Sequence, residues 1–258
     1  MKPRRQGLHL AVEVLAPVVV VLAILVFTNT TESFFLPPLQ DVFTAFTRNW
    51  IFARVPSDLL PSLARLAVGY GAAAALGIVL GVLFGRSPAV RRQATPIVEF
   101  LRAVPPTALL PFTLVTFGIG DDAKIFLIAL VCIWPILLNT IDGVTGIEST
   151  LQETGRSYGI PAVPRLLRIE LPAAAPQIFA GLRASLPLAI IVMVISEMMG
   201  AINGIGFFIV QSQRSFAIAD MWSGIVLLGI LGYLLNLILS LLERWILAWH
   251  RGSRAVAR

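Results

Sequence analysis

The sequence predicts an all-α polytopic membrane protein with six transmembrane helices. Of its 258 residues, 57% are hydrophobic and only 13% are charged, a composition that a soluble domain of this size rarely has. Several apolar runs reach the ~20 residues that a helix needs to cross the hydrocarbon layer of a bilayer. The basic residues lie in the breaks between these runs, which favours a role in membrane topology over nucleic-acid binding.

The first predicted span follows a basic N-terminus that contains Lys2, Arg4 and Arg5. No small-residue cleavage site follows Phe27, so we expect an uncleaved span rather than a signal peptide. All six segments should be helical, because a helix satisfies its own backbone hydrogen bonds inside lipid. The predicted spans are Val12 to Phe27, Leu63 to Phe84, Pro96 to Phe117, Ile125 to Ile141, Ala173 to Met199, and Met221 to Ala248.

These spans divide the chain into four parts. Residues 1–28 form a cytoplasmic tail and the first span, 29–60 an external loop, 61–248 a core of five spans, and 249–258 a basic cytoplasmic tail. The positive-inside rule predicts that both termini are cytoplasmic, because this orientation places every basic cluster on that side. The remaining clusters are Arg86, Arg91 and Arg92, then Arg156, Arg165 and Arg168, then Arg251, Arg254 and Arg258. The external acidic residues are Glu32, Asp41, Asp58, Asp121, Asp122 and Asp220.

The external loop contains apolar residues at helical spacing behind Pro37 and Pro38. They predict a short amphipathic helix that packs on the protein or rests on the outer membrane surface. The helix is expected from Leu39, Val42, Phe43 and Phe46.

Glycines and prolines mark special positions within the core spans. Gly77, Gly81 and Gly85 recur at intervals of four, which predicts close approach of another helix to the second span. Prolines remove backbone donors and are expected to kink the third and fourth spans. These prolines are Pro105, Pro106, Pro111 and Pro135.

A polar loop, at about residues 143–172, separates the fourth and fifth spans. We expect a helix over about 151–158, a sharp turn at Gly159, and a second helix after Pro161 or Pro164. Such a rigid cytoplasmic helix-turn-helix suits contact with a soluble partner. The alternative is an ordinary amphipathic surface loop.

The loop resembles the cytoplasmic coupling loop of bacterial ABC importer permeases. The similarity rests on the spacing of Glu153, Gly155, Gly159, Arg165, Ile169, Leu171 and Pro172. It extends over about Pro61 to Trp249, and this stretch resembles the permease family that imports taurine, aliphatic sulfonates and nitrate. Matching blocks include Pro105-Pro106, Phe117-Gly118-Ile119-Gly120, Gly181-Leu182-Arg183 and Glu197-Met198-Met199-Gly200. One departure is Glu153-Thr154-Gly155, where the family has Glu-Ala-Ala, which predicts a more flexible first turn.

This resemblance implies a type I ABC importer permease in the bacterial cytoplasmic (inner) membrane. It implies a homodimer, two ABC ATPase subunits that bind ATP and Mg²⁺, and an external substrate-binding protein. The expected substrate is a small anion such as taurine, an alkanesulfonate or nitrate. The sequence contains no G-x-x-x-x-G-K-[ST] phosphate loop, so we expect a non-catalytic chain without a cofactor of its own.

Candidates for the translocation pathway are the polar residues within the spans. Glu197 is an expensive carboxylate at membrane depth, and we expect it either to pair across the pathway or to hydrogen-bond the loop from Asn203 to Gly206. The other candidates are Asn139, Thr116, Ser185 and Ser196, which could instead only bond neighbouring helices. Cys132 is alone in an apolar run and His9 and His250 lie near the chain ends, so the sequence predicts neither a disulfide nor a metal site.

Two kinds of alternative function stay open. One is a sibling importer for a thiamine-pathway pyrimidine, a riboflavin-like compound or an aromatic acid. The other is an ATP-independent channel or carrier, although only Glu197 is a serious candidate for ion coupling. An intramembrane enzyme is disfavoured, because the spans contain no recognisable catalytic constellation.

Overall fold

The computed structural model describes residues 33–248, together with Val19 and Thr28, and this part of the chain is helical without strands. Except for Val19, the predicted first span lies outside the described residues. The same is true of the basic residues at both chain ends. In chain order the helices are α1 (Leu39–Arg48), α2 (Leu60–Arg86), α3 (Pro88–Ala103), α4 (Leu110–Phe117), α5 (Asp121–Thr145), α6 (Ser149–Ser157), α7 (Ala162–Arg165), α8 (Leu171–Gly200), α9 (Ile205–Arg214) and α10 (Ile218–Ile246).

Four helical stretches within the described residues are long and apolar enough to span a membrane. They are Val55–Arg86, Asp121–Thr145, Ala162–Gly200 and Ile218–Ile246. A fifth span results if the bent pair Pro88–Ala103 and Pro106–Phe117 is counted as one. These five coincide with the second to sixth predicted spans, and the total of six stays a prediction.

Helix α1 lies where the sequence predicted a short amphipathic helix. Val42 and Ala45 are buried, whereas Phe43 is 68% exposed, so one face packs on the protein and the other does not. Asp220 of α10 accepts hydrogen bonds from the Arg48 guanidinium at 2.5 Å and from the side-chain amide of Asn49 at 2.8 Å. Two π-helical segments, Asn49–Ala53 and Val55–Leu59, then lead into α2.

The glycine stripe of α2 faces α5, as predicted. An added Cβ would lie 2.9 Å from Ile136 at Gly77, 2.5 Å from Thr140 at Gly81, and 2.7 Å from Val144 at Gly85. Gly69, which the predicted stripe omitted, meets Ile128 at 2.9 Å in the same way. The two helices therefore touch along most of their length at a separation that only glycine allows.

The third predicted span is not one kinked helix, and that expectation was too simple. Helix α3 ends at Ala103, a 3₁₀ turn covers Pro106–Leu109, and α4 follows at 82° to α3. The cause is the pair Pro105-Pro106, because the residue before a proline is pushed out of the helical region. Val104 and Pro105 have extended ψ values of 121° and 128°. By contrast, α5 continues through Pro135 without a break.

Helix α8 completes the core with α2 and α5. The three helices enclose a buried apolar cluster that includes Leu66, Ile128, Cys132 and Met193. Cys132 is fully buried among these apolar side chains. After α8 the chain turns at Gly204, whose φ is 116°, and forms α9, a helix that the sequence analysis did not predict.

Candidate functional site

The loop between α5 and α8 is a compact helix-turn-helix. Gly159 has a φ of 66°, in the left-handed region that glycine adopts at low cost. Its amide donates to the Arg156 carbonyl at 2.9 Å, and the Ile160 amide donates to the Gly155 carbonyl at 3.1 Å. This pair of bonds is a Schellman motif, which satisfies the last carbonyls of α6. The predicted turn residue is thus at the turn.

Glu170 fixes this loop to the end of α2. Its carboxylate accepts from Arg86 at 3.1 Å and from Arg165 at 3.2 Å. The Glu170 side chain is only 9% exposed, so these two ion pairs are better shielded from water than ordinary surface pairs. The second half of the loop is therefore tied to a membrane-spanning helix.

The remaining residues of the predicted coupling loop fall into two groups. Gly155 is buried, and an added Cβ would lie 3.2 Å from Cδ of Arg165 and 3.4 Å from Cδ1 of Ile169. The structure thus brings these three together where α6 packs on the second half of the loop. Glu153 is exposed on α6, and the half-buried Leu171 and Pro172 begin α8.

At the opposite end of α2 and α8, Glu197 lies in a buried polar cluster. This carboxylate is fully buried and accepts from Ser62 at 2.7 Å, Arg65 at 2.8 Å and the Gly206 amide at 2.9 Å. The expected hydrogen bond to the loop from Asn203 to Gly206 is present, and so is a salt bridge.

The cluster also caps the N-terminus of α9. Ser62 accepts from the Ile205 amide at 2.9 Å, and Asp58 accepts from the Gly204 amide at 3.0 Å. Together with the bond from Gly206, three successive amides at this helix end are satisfied by side chains from other elements. Arg65 also binds Asp121 at 2.7 Å and the Asn203 side chain. The cluster therefore joins α2, α5, α8 and α9.

The other pathway candidates do not converge on one site. Ser185 and Ser196 are buried and donate to carbonyls of their own helix, at 2.9 Å and 2.8 Å. Asn139 bonds the Pro135 carbonyl at 2.8 Å and accepts from Gln177 at 3.2 Å. Thr116 is exposed and donates to its own helix at 2.9 Å. Their role in a pathway stays a prediction.

A cavity of about 540 Å³ lies at the break between α3 and α4. Val104 and Pro106 line it from the break, Trp134 and Pro135 from α5, and Leu188 from α8. Glu99 and Arg102 also line it, and they pair with each other at 2.5 Å. Irregular backbone at membrane depth is tolerated where it lines such a space.

Sequence reasoning missed two of the charged residues that organise these sites. Arg65 lies inside the second predicted span, and the rule that drew attention to Glu197 applies equally to an arginine at membrane depth. Glu170 is the one acidic residue between Arg165 and the start of α8, so its charge could have suggested a partner. Among the described residues, no group of three or more His, Cys, Asp or Glu could hold a metal ion.

Comparison with protein families places these features in a known context. Residues 73–251 match the family described as binding-protein-dependent transport system inner membrane component. The match covers all the helices from α3 to α10 and the part of α2 that carries Gly77, Gly81 and Gly85.

Individual relatives align over most of the chain. The taurine transport system permease protein of Escherichia coli is 35% identical over 222 residues, 84% of this chain and 80% of that protein. The bicarbonate transport system permease protein of Synechococcus elongatus is 35% identical over 189 residues, 73% of this chain and 68% of that protein. The nitrate import permease protein of Leptolyngbya laminosa is 38% identical over 179 residues, 69% and 64% of the two chains.

Among solved structures, a chain of the MetNI methionine ABC transporter in an inward-facing conformation superimposes with a TM-score of 0.64. It is 23% identical in sequence, and the match covers 73% of this chain and 94% of that one. At this identity the similarity concerns the fold.

Proposed function

Because the chain belongs to the family of binding-protein-dependent transport system inner membrane components, we propose that it is the permease subunit of an ATP-driven ABC importer. The observation that carries the proposal is the family match, which extends over the loop with Gly159 and over three of the apolar spans. The chain supplies the membrane pathway and no catalytic group. ATP and Mg²⁺ bind to a separate ATPase subunit.

The substrate that we propose is a small anion. The relatives described above are named for the transport of taurine, bicarbonate and nitrate. Bicarbonate and nitrate are small anions, and taurine is a small polar molecule with an anionic sulfonate group. The polar residues within the described spans do not form a recognisable anion site, so the external binding protein selects the substrate.

The free energy of ATP hydrolysis reaches this chain through the loop that contains α6 and α7. Its rigid turn and its attachment to α2 through Glu170 suit it to receive a displacement from a soluble subunit. We propose that two copies of the chain form the pathway in the bacterial inner membrane, with the loop in the cytoplasm. Two ATPase subunits contact the two loops.

The test has a binding part and a transport part. The full chain, tagged and solubilised from its native membrane, should retain an ATPase subunit at one copy per chain. The complex reconstituted in liposomes with its binding protein should then accumulate radiolabelled taurine, nitrate or bicarbonate only when ATP is present on the side of the loop. Recovery of the chain alone, with anion flux that does not need ATP, would contradict the proposal.

A further inference from the structure

A basic pocket of about 460 Å³ lies where the loop meets the ends of two membrane-spanning helices. Four guanidinium groups and one carboxylate contribute to its lining, so three positive charges are left unbalanced. Its charged lining residues are Arg86, Arg91, Arg156, Arg165 and Glu170.

Half of these arginines have no acidic partner. Glu170 pairs with Arg86 and Arg165, whereas Arg91 and Arg156 form no ion pair with any described residue. Arg91 lies in the first turn of α3, whose N-terminus also carries a partial positive charge. Unpaired guanidinium groups that converge on one pocket are typical of sites for phosphate groups.

The pocket lies at the level of a membrane surface. Arg86 and Thr145, which line it, are the last residues of two apolar spans, and Arg165 lies in the first turns of a third. Phospholipid phosphates occupy this level, because the hydrocarbon core ends where the apolar spans end.

An apolar groove of about 610 Å³ continues from the pocket along α2. Both spaces share Arg86, and the groove is lined by Val79 and Leu83 of α2, by Leu166 of the π-helical segment Leu166–Glu170, and by Leu171 at the start of α8. Val79 and Leu83 are 64% and 52% exposed, so this surface is open within the described residues. A basic pocket continuous with an apolar groove matches an anionic head group joined to an acyl chain.

We infer that this composite site binds an anionic phospholipid, with the head-group phosphate in the basic pocket and one acyl chain in the groove. The phosphate oxygens accept hydrogen bonds from Arg91 and Arg156, and the acyl chain covers Val79 and Leu83. The bound lipid stiffens the junction between α3 and α6, because two arginines from different elements then share one ligand. This inference requires only that the chain is embedded in a membrane and does not depend on what the chain transports.

Native mass spectrometry of the detergent-solubilised full chain tests the site. Phosphatidylglycerol should bind more tightly than phosphatidylcholine. Arg91→Gln should weaken phosphatidylglycerol binding about fivefold, the effect of about one basic contact near a membrane surface. Arg92→Gln is the matched control, because Arg92 is an exposed neighbour outside the lining, and it should leave binding unchanged. Arg91→Lys keeps the charge and should bind better than Arg91→Gln.

Two soluble probes distinguish the sources of the phosphate group. Inorganic phosphate and glycerol 3-phosphate lack the acyl chain and should not displace phosphatidylglycerol at concentrations at which the lipid saturates. If either displaces it fully, the site is a free-anion site and the assignment to a lipid is wrong. If the two lipids bind equally, the pocket does not select an anionic head group, and if Arg91→Gln and Arg92→Gln have the same effect, Arg91 is not a ligand of the head group; either result overturns the proposal. A Val79→Ser variant should weaken the binding of phosphatidylglycerol and leave the binding of the soluble probes unchanged. An unchanged affinity for phosphatidylglycerol would show that the groove is not part of the site.

Discussion

The buried polar cluster around Glu197 leads to a prediction about stability. Replacing Glu197 by leucine removes the carboxylate that pairs with Arg65 and accepts from the Gly206 amide. A broken buried ion pair costs about 3–5 kcal/mol, and a buried amide left without a partner about 1–3 kcal/mol. Arg65 keeps its bonds to Asp121 and Asn203, which offsets part of the loss. We therefore expect Glu197→Leu to lower the free energy of unfolding by about 3 kcal/mol.

Unfolding in mixed micelles with increasing SDS, followed by circular dichroism, measures this change. Glu99→Gln is the control, because Glu99 is 49% exposed and its pair with Arg102 is expected to contribute at most about 1 kcal/mol. The double variant Arg65→Met with Glu197→Leu should be more stable than the sum of the single effects predicts, since no buried charge is left without a partner. Asp121 also loses Arg65, but its side chain is 60% exposed and stays hydrated. Additive effects, or a Glu197→Leu variant as stable as the control, would refute the account of this cluster.

Three further predictions concern the loop, the glycine stripe and the orientation. Gly159→Val should uncouple ATP hydrolysis from uptake in proteoliposomes, because a β-branched residue is strained at a φ of 66°. Gly81→Val should abolish folding, because even the Cβ of the new side chain would lie 2.5 Å from Thr140 of α5. By contrast, a Cβ at Gly71 would have no atom within 4 Å, so Gly71→Ala should raise the free energy of unfolding by about 0.5–1 kcal/mol, measured by thermal unfolding. Ser157→Cys should react with an impermeant maleimide only from the cytoplasm and Ser33→Cys only from outside, with the buried native thiol silent.

Each of these predictions has an outcome that would contradict it. Normal coupled uptake in the Gly159 variant would mean that the turn geometry does not matter for transport. A folded Gly81→Val variant would show that α2 and α5 can separate. Labelling of the two cysteines from the opposite sides would invert the topology.

The sequence predicted four of the spans well, because hydropathy acts over some twenty residues at once. The bounds of α2, α5, α8 and α10 differ by only a few residues from the apolar segments. The break after Ala103 was underestimated, because a proline can either kink a helix or end it, and the result depends on what packs beside it. Pro135 illustrates the other outcome, since α5 continues through it.

The sites could be predicted less completely from the sequence, because the residues that contact each other in them are distant in sequence. The turn at Gly159 is a local feature and could be predicted from glycine and proline spacing alone. Glu197 was recognised as unusual, but its partner Arg65 lies 132 positions away, and only the folded chain brings them within 2.8 Å. Helix α9 was missed because ten residues give too weak a periodic signal between two long apolar segments.

The glycine contacts between α2 and α5 restrict how the protein can move. Backbones that touch at Gly69, Gly77, Gly81 and Gly85 cannot slide past each other by less than a whole helical turn without a collision. The two helices must then tilt together as one rigid unit, with Arg86 at one end of α2 and Arg65 near the other. In the proposed permease, a displacement of the loop would therefore be transmitted to the Arg65 end of α2, and the 82° bend between α3 and α4 marks the break in the helical structure.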